Sequence, residues 1–194
     1  MTKHRCGWCV GDPLYEAYHD QEWGVPVYDD QTIFEFLILE TFQAGLSWIT
    51  ILRKRENFRE ALDDFDYKKI ACYSEAKLEA LLQNPGIIRN KLKVKATVSN
   101  AQAFIEIQEE FGSFSKYIWS FVNHKPVQNS VKIYKEAPAT TAISDALSKD
   151  LKKRGFKFTG STVVYAHMQA TGMVNDHEVD CFRYAEVKSL GVKP

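Results

Sequence analysis

Leu78-Glu-Ala-Leu81-Leu82-Gln-Asn-Pro85-Gly86-Ile87-Ile88-Arg89-Asn90-Lys91 runs from an apolar helical period into a Pro-Gly turn and out again into a basic segment. Leu78, Leu81 and Leu82 share one face of a helix that Ser74 caps. Pro85-Gly86 ends that helix, and the charges of Arg89, Lys91, Lys93 and Lys95 ride on the next one. Outward from the junction the same period recurs. Ile33, Phe34 and Leu37 follow a cap at Asp30, and Trp48, Ile49 and Leu52 follow Ser47. Further helices are predicted over about 91–110, 114–122, 143–154 with Gly155 beyond its end, and 162–171 with Gly172 beyond its end. Only 127–133 reads as extended, and Ala137-Pro138-Ala139 is a loop inside one body. The expectation is an all-α domain.

Two readings of the junction stand side by side. In a phosphate-binding helix-hairpin-helix, Gly86 lets the backbone approach a phosphate, and amides at the start of the next helix supply donors. In a plain αα-hairpin the glycine only makes the turn. The first kind binds backbone and carries no sequence information.

The chain has 194 residues, 45% hydrophobic and 26% charged, enough for a substantial core. Its formal net charge of zero advertises neither a polyanionic nor a membrane partner, so a nucleic-acid surface would require local segregation of charge. Residues 89–95 and 149–157 offer such segregation, although solvated helix faces produce similar runs. Four cysteines without a signal peptide, and no apolar stretch long enough for a bilayer, point to a reducing cytoplasm without disulfides. A monomer is expected.

Cys6 with His19, and His177-x-x-x-Cys181, form two potential metal half-sites near opposite ends of the chain. A pair four residues apart on a helix lies on one face within reach of a common ion. A closed set of four ligands suits a structural zinc staple, because catalytic zinc keeps a position open, while the rival reading makes His19 a satisfied, partly buried histidine and Cys6 and Cys181 ordinary buried thiols. Cys6-Gly7-Trp8-Cys9 also admits a thiol-redox reading. That chemistry expects a strand before the pair and a helix after it, whereas only Met1 to Arg5 precede it and Gly11-Asp12-Pro13 reads as a turn. Cys9 and Cys72 are taken as bystanders.

Phe34-Glu-Phe-Leu-Ile-Leu39-Glu40-Thr-Phe-Gln-Ala-Gly45-Leu46-Ser47-Trp48-Ile49 sets one carboxylate, Glu40, at the end of an otherwise apolar helix. A Gly-containing loop and a Trp follow. Buried charge is costly unpaired, so Glu40 requires donors or a cation. With Trp8, Tyr15, Tyr18 and Trp23 it outlines an aromatic pocket suited to stacking on bases or attracting cations. The rival reading makes these rings core and Glu40 a cap for a neighbouring helix.

Together with Cys6-Gly-Trp8, these motifs resemble the constitutive bacterial, type I, family of DNA-3-methyladenine glycosylases. The likeness runs nearly end to end, through Asp12-Pro-Leu-Tyr15, Tyr18-His19-Asp20, Glu22-Trp23-Gly24-Val-Pro26, Gln43-Ala-Gly-Leu-Ser-Trp48, Gly86-Ile-Ile-Arg89, Trp119-Ser-Phe-Val-Asn-His124, Lys153-Arg-Gly-Phe-Lys-Phe158 and Val174-Asn-Asp-His177. The resemblance implies a helix-hairpin-helix glycosylase fold, two helical lobes in one domain over residues 1–194, and one zinc on Cys6, His19, His177 and Cys181. It implies a monofunctional enzyme that flips 3-methyladenine out of alkylated double-stranded DNA and leaves an abasic site. Glu40 would recognise the base and act in catalysis, Tyr18 would be a second polar contact, and Trp48 the stacking platform, with Trp8 and Tyr15 lining the pocket. Gly45 and Leu46 would enter the duplex, and Gly86, Ile87, Ile88 and Arg89 would hold its backbone. The family lacks the aspartate common in helix-hairpin-helix glycosylases, and neither Asp176 nor Asp180 is assigned that part. The rival from another class is a zinc-stapled module that binds distorted duplex without catalysis.

Overall fold

The computed structural model describes residues 3–190, and there the chain is mostly helical. In order come α1 (Pro13–Gln21), α2 (Asp30–Gln43), α3 (Trp48–Ala61), α4 (Tyr67–Ile70), α5 (Glu75–Gln83), α6 (Lys91–Phe111), α7 (Phe114–Ser120), α8 (Ala142–Lys153), α9 (Ser161–Ala170) and α10 (Phe182–Ser189). Because α2 buries Ile33, Phe34 and every residue from Phe36 to Phe42, it behaves as a core helix, apolar nearly all round. Helices α3, α6, α7 and α9 pack around it. Phe34 meets Phe104 at 5.0 Å between centroids, and Phe104 stacks on Phe114 at 4.1 Å, which locks α2, α6 and α7 together.

The caps differ from expectation in three places. Asp29, not Asp30, caps α2 through Thr32 N–H (2.8 Å). Asp30 instead crosses the core and accepts from the amides of Phe114 (2.9 Å) and Ser115 (2.7 Å), capping α7. Ser47 precedes α3 without a cap bond and pairs with Thr50 Oγ1. Gly11-Asp12-Pro13 does start a helix: Asp12 Oδ1 accepts from Leu14 and Tyr15, and Pro13 fills a first-turn position where its missing N–H costs nothing.

The all-α expectation needs one correction. The extended stretch yields β1 (Val127–Gln128), paired in parallel with β2 (Val174–Asn175), and a bridge from Val131 to Glu178 continues the register. This ladder carries the 127–134 segment onto the chain's C-terminal region.

At the decisive junction, α5 and α6 form the expected hairpin. The Pro85 and Gly86 carbonyls accept from Lys54 Nζ (3.3 and 3.2 Å), and Gly86 O also accepts from Asn57 Nδ2 (3.3 Å). A Cβ on Gly86 would stand 3.1 Å from Asn57 Cβ, so the close approach of α3 leaves little room for a side chain there. Asn90 Oδ1 takes the Leu92 and Lys93 amides (3.1 Å each), two of the donors expected to face a phosphate. Ile87 is 3% exposed, so its side chain belongs to the core and only its backbone is available to a partner. Ile88 is half-buried and Arg89 is exposed.

Candidate functional site

Cys6 from the N-terminal segment, His19 from α1, and His177 and Cys181 from the turn before α10 converge in one buried cluster, with ligand atoms within 4.8 Å of one another. Residues 177–181 do not form the helix that the four-residue spacing had suggested. Cys181 is the extended N-cap of α10, and its amide folds back onto Glu178 O (2.8 Å). Cys6 Sγ lies 3.6 Å from His177 Nδ1, and Cys181 Sγ lies 3.4 Å from His19 Nε2 and 3.8 Å from His177 Nδ1. Metal-ligand bonds of about 2.0 to 2.3 Å in a tetrahedron put neighbouring ligand atoms about 3.3 to 3.8 Å apart, the same range.

The other nitrogen of each ring is engaged. His19 Nδ1 meets Asp20 Oδ1 at 2.8 Å, and the Arg5 guanidinium holds that carboxylate through bonds of 2.9 and 2.8 Å. His177 Nε2 meets the Trp23 carbonyl at 3.0 Å. These partners assign both tautomers and leave the inward nitrogens as lone-pair donors. Contact with Cys6 drives the Cys181 thiol well below the ordinary range, and the same contact drives Cys6 up, because adjacent sulfurs cannot both ionise without a cation. Gly24, in the left-handed region at φ 80°, has no room for a side chain: a Cβ would lie 2.9 Å from His177 Nε2. Cys9 Sγ donates to Cys6 O (3.2 Å), and Cys72 is exposed.

The cluster shares a wall with a cavity of about 90 Å³ lined by Trp8, Tyr15, Tyr18, Trp23, Glu40, Gln43, Trp48, Tyr134, Ala166 and Gln169. Trp8 packs edge-on to His19 (5.4 Å) and to Trp23 (5.0 Å) and Tyr15 (4.7 Å), while Trp23 meets His177 at 4.6 Å. Tyr18 lies 5.6 Å from Trp48, and Phe36 stacks behind Trp48 at 6.5 Å. Every aromatic residue singled out from the sequence reaches this one space.

Glu40 is 3% exposed, and its Oε2 has no hydrogen-bond partner among the described residues. It caps no helix through that atom. Burial pushes its carboxyl up to about 8. Trp8 Nε1 and Trp48 Nε1 are likewise buried and unpaired. Tyr15 rises to about 12, by burial first and then by the nearby charges of Cys9 and Glu40. One acceptor and two donors therefore stand unsatisfied at the same cavity, an arrangement that costs stability unless a ligand completes it.

Gly45 and Leu46 lie in the loop between α2 and α3, beside Gln43 and Trp48 of the cavity wall. Gly45 adopts φ 85°, which disfavours a side chain, and Leu46 is 40% exposed. Sequence reading missed how this loop is held: Lys93 of α6, itself buried, donates to the Phe42 (3.1 Å) and Ala44 (3.0 Å) carbonyls at the end of α2. The hairpin helix thus ties down the protruding loop, and desolvation lowers the Lys93 pKa. Tyr134, Gln43, Ala166 and Gln169 were missed as well. Tyr134 alone had a signal, since it follows the only extended stretch; its amide is anchored on Glu178 Oε1 (2.8 Å).

The methyladenine glycosylase family model matches residues 8–184. DNA-3-methyladenine glycosylase 1 of Escherichia coli strain K12 is 51% identical over 180 residues, covering 93% of this chain and 96% of that protein. A crystal structure of 3-methyladenine DNA glycosylase I superposes with a TM-score of 0.90 at 50% identity, over 92% of this chain and 98% of that one. A single-residue variant of 3-methyladenine DNA glycosylase I, solved in complex with 3-methyladenine, matches with a TM-score of 0.89 at 38% identity, over 92% of this chain and 96% of that one.

Proposed function

This chain belongs to the methyladenine glycosylase family, and we infer that it is a DNA repair hydrolase cutting the N-glycosidic bond of 3-methyladenine in alkylated double-stranded DNA and leaving an abasic site. The observation that carries this reading is the unpaired Glu40 carboxyl inside a ring-lined cavity beside two unpaired indole N–H groups. A purine edge offers both acceptors and an amine donor, the complement of that set.

The mechanism follows from charge. 3-Methyladenine is cationic while attached to the sugar and leaves as a neutral base, so its bond is already activated and the leaving group needs no proton. With its carboxyl at about 8, Glu40 is mostly neutral in the empty cavity at pH 7. A cationic base in contact favours the carboxylate, which accepts from the adenine edge and stabilises positive charge as water attacks the sugar carbon. Extrusion costs a few kcal/mol and is cheapest for a base with damaged pairing. Stacking on Trp48 returns about 1 to 3 kcal/mol, so fit in the cavity decides which base remains. Tyr18, Tyr15 and Trp8 complete the walls, Leu46 fills the vacated stack, and Gly45 lets the loop enter the duplex. Backbone at Gly86, Ile87 and Ile88 with the Arg89 side chain holds phosphates. No residue is assigned as general base.

One zinc ion on Cys6, His19, His177 and Cys181 is part of this reading, supported by the ligand spacing and the engaged outer ring nitrogens. Closed by four protein ligands, it would staple the chain's ends and take no part in hydrolysis. The whole chain acts as a single domain of two helical lobes, a cytoplasmic monomer. No helix among the described residues is long and apolar enough to cross a membrane.

The test is incubation of alkylated DNA with the protein and chromatography of the supernatant. Free 3-methyladenine is expected. Tight binding to that DNA with no base released would leave a non-catalytic module that recognises distorted duplex.

A further inference from the structure

Beside the base cavity opens a groove of about 380 Å³, and the two spaces share Gln43, Tyr134, Ala166 and Gln169 as a common wall. Gln43 is the last residue of α2, so the groove adjoins the Gly45–Leu46 loop. That loop touches the hairpin as well, since Lys93 holds its Phe42 and Ala44 carbonyls. A flipped nucleotide carries a phosphate on each side of its sugar, and such charges are too costly to bury among rings. They stay outside the cavity while the base enters.

Lys135 is the one charged side chain that lines the groove among the described residues, and no carboxylate lines it. Exposed, it pairs with no carboxylate, whereas Lys69, Lys77 and Lys95 each do. Its backbone is held on both sides. Tyr134, one residue earlier, packs on Trp8 and Trp23 (5.9 Å each), and its amide donates to Glu178 Oε1 (2.8 Å). The turn closes through the Glu136 N–H on Ile133 O and the Ala137 N–H on Tyr134 O, both 2.9 Å. Asp176, the carboxylate behind Tyr165 and Gln169 of the groove wall, is 1% exposed and already met by three donors: Asn129, Tyr165 and Gln169. The charge offered to a ligand in the groove is therefore positive.

We propose that Lys135 is a phosphate-binding residue for the flipped nucleotide: its ammonium pairs, in this groove, with one of the two phosphates flanking the sugar whose base fills the cavity. A lysine suits that task, because a point charge on a flexible stem meets a phosphate without a fixed angle. The contact differs in kind from the one assigned to the hairpin. Gly86 to Arg89 hold duplex backbone whether or not a base has turned out, while Lys135 gains its partner only once the nucleotide stands at the cavity mouth.

The proposal rests on the glycosylase reading for its ligand, and the test separates the two. Wild type, Lys135→Gln and Lys135→Arg are titrated over a range of salt with two duplexes of one sequence, one intact and one carrying a single tetrahydrofuran abasic analogue, the latter with free 3-methyladenine added to fill the cavity. On the abasic duplex Lys135→Gln should lower the slope of log affinity against log salt by about 0.9, the value of one phosphate contact. Its disadvantage should then shrink about three- to fourfold as salt rises from about 50 to about 200 mM. Lys135→Arg should restore the slope, and the intact duplex should show no change. An unaltered slope on the abasic duplex overturns the proposal, and so does an equal drop on both duplexes, which would place Lys135 in the general backbone contact. Either result, with base still released by wild type from alkylated DNA, leaves the glycosylase reading standing. Wild type that prefers neither duplex and releases no base overturns both.

Discussion

The Cys/His cluster and the base cavity lie back to back across Trp8 and Trp23, both buried and rich in ionisable groups, yet they are opposite in kind. In the cluster each ring nitrogen facing outward has a partner, and the inward ligand atoms converge to within 4.8 Å of one another. In the cavity Glu40 Oε2, Trp8 Nε1 and Trp48 Nε1 have none. A polar set that closes on itself, and could close on one ion, holds structure together. A polar set left open carries an energetic debt that a transient ligand settles.

The cluster side of the contrast breaks hardest. Structural zinc in small peptides is worth about 10 to 16 kcal/mol at neutral pH, and a whole domain is stable by about 5 to 15. Cys181→Ser, or a strong chelator, is expected to abolish the cooperative melt and release both ends of the chain. Metal content per chain by mass spectrometry and a thermal scan check this; an unaltered melt in metal-free protein would reduce the cluster to a hydrogen-bonded set.

Glu40→Gln should act in the opposite direction on stability while impairing function. Burial holds the folded carboxyl at about 8 against an ordinary 4.5, so between those pH values the folded state keeps a proton that the unfolded state has lost. Wild type is therefore most favoured below about pH 4.5, and this contribution is lost as pH rises to 8, with a ceiling of about 5 kcal/mol at 1.36 per pKa unit. The glutamine variant should melt higher than wild type, by a margin that widens from pH 5 to pH 8. Its single-turnover release of 3-methyladenine should slow by about 10²- to 10³-fold, the loss typical of one preorganised electrostatic group. A variant equal to wild type in both respects would take Glu40 out of the mechanism.

Lys93→Met gives a smaller effect that sharpens the comparison. It cuts the bonds to the Phe42 and Ala44 carbonyls, each hydrogen bond to a charged group being worth about 1.5 to 3 kcal/mol, and removes no side chain that lines the cavity. Base release from duplex DNA should fall about tenfold or more, with binding of free 3-methyladenine unchanged. Parallel losses in both would mean that the loop and the cavity are one unit.

Legibility from sequence followed the range of the interaction. The long α6 and the cap at Ser74 are local, set within a turn or two, and α6 came within a residue of its expected ends. Asp30 misled because its carboxylate has a partner 84 residues away that wins over its own helix. His177 and Cys181 were paired for the wrong reason: the turn before α10 unites them, and a four-residue helical spacing was only coincidentally compatible. Gln169 lacks any local mark, since nothing in α9 distinguishes a wall of a cavity from ordinary core, and the extended stretch before Tyr134 marks a change of backbone but not a cavity wall.

By itself the chain of residue types determined that most of the long periodic stretches are helices, that Glu40 is a carboxylate set among apolar neighbours, and which four side chains could bind an ion. Periodicity and capping act between near neighbours, so they can be read along a line. Only the tertiary structure decided that Glu40 Oε2 is left unsatisfied among the described residues, that Gln169 donates to Asp176, and that Lys93 tethers the Gly45–Leu46 loop. Those outcomes depend on which groups from distant segments come within 3 Å of each other and on how much water is excluded when they do. That is a property of three-dimensional packing which no spacing along the chain encodes.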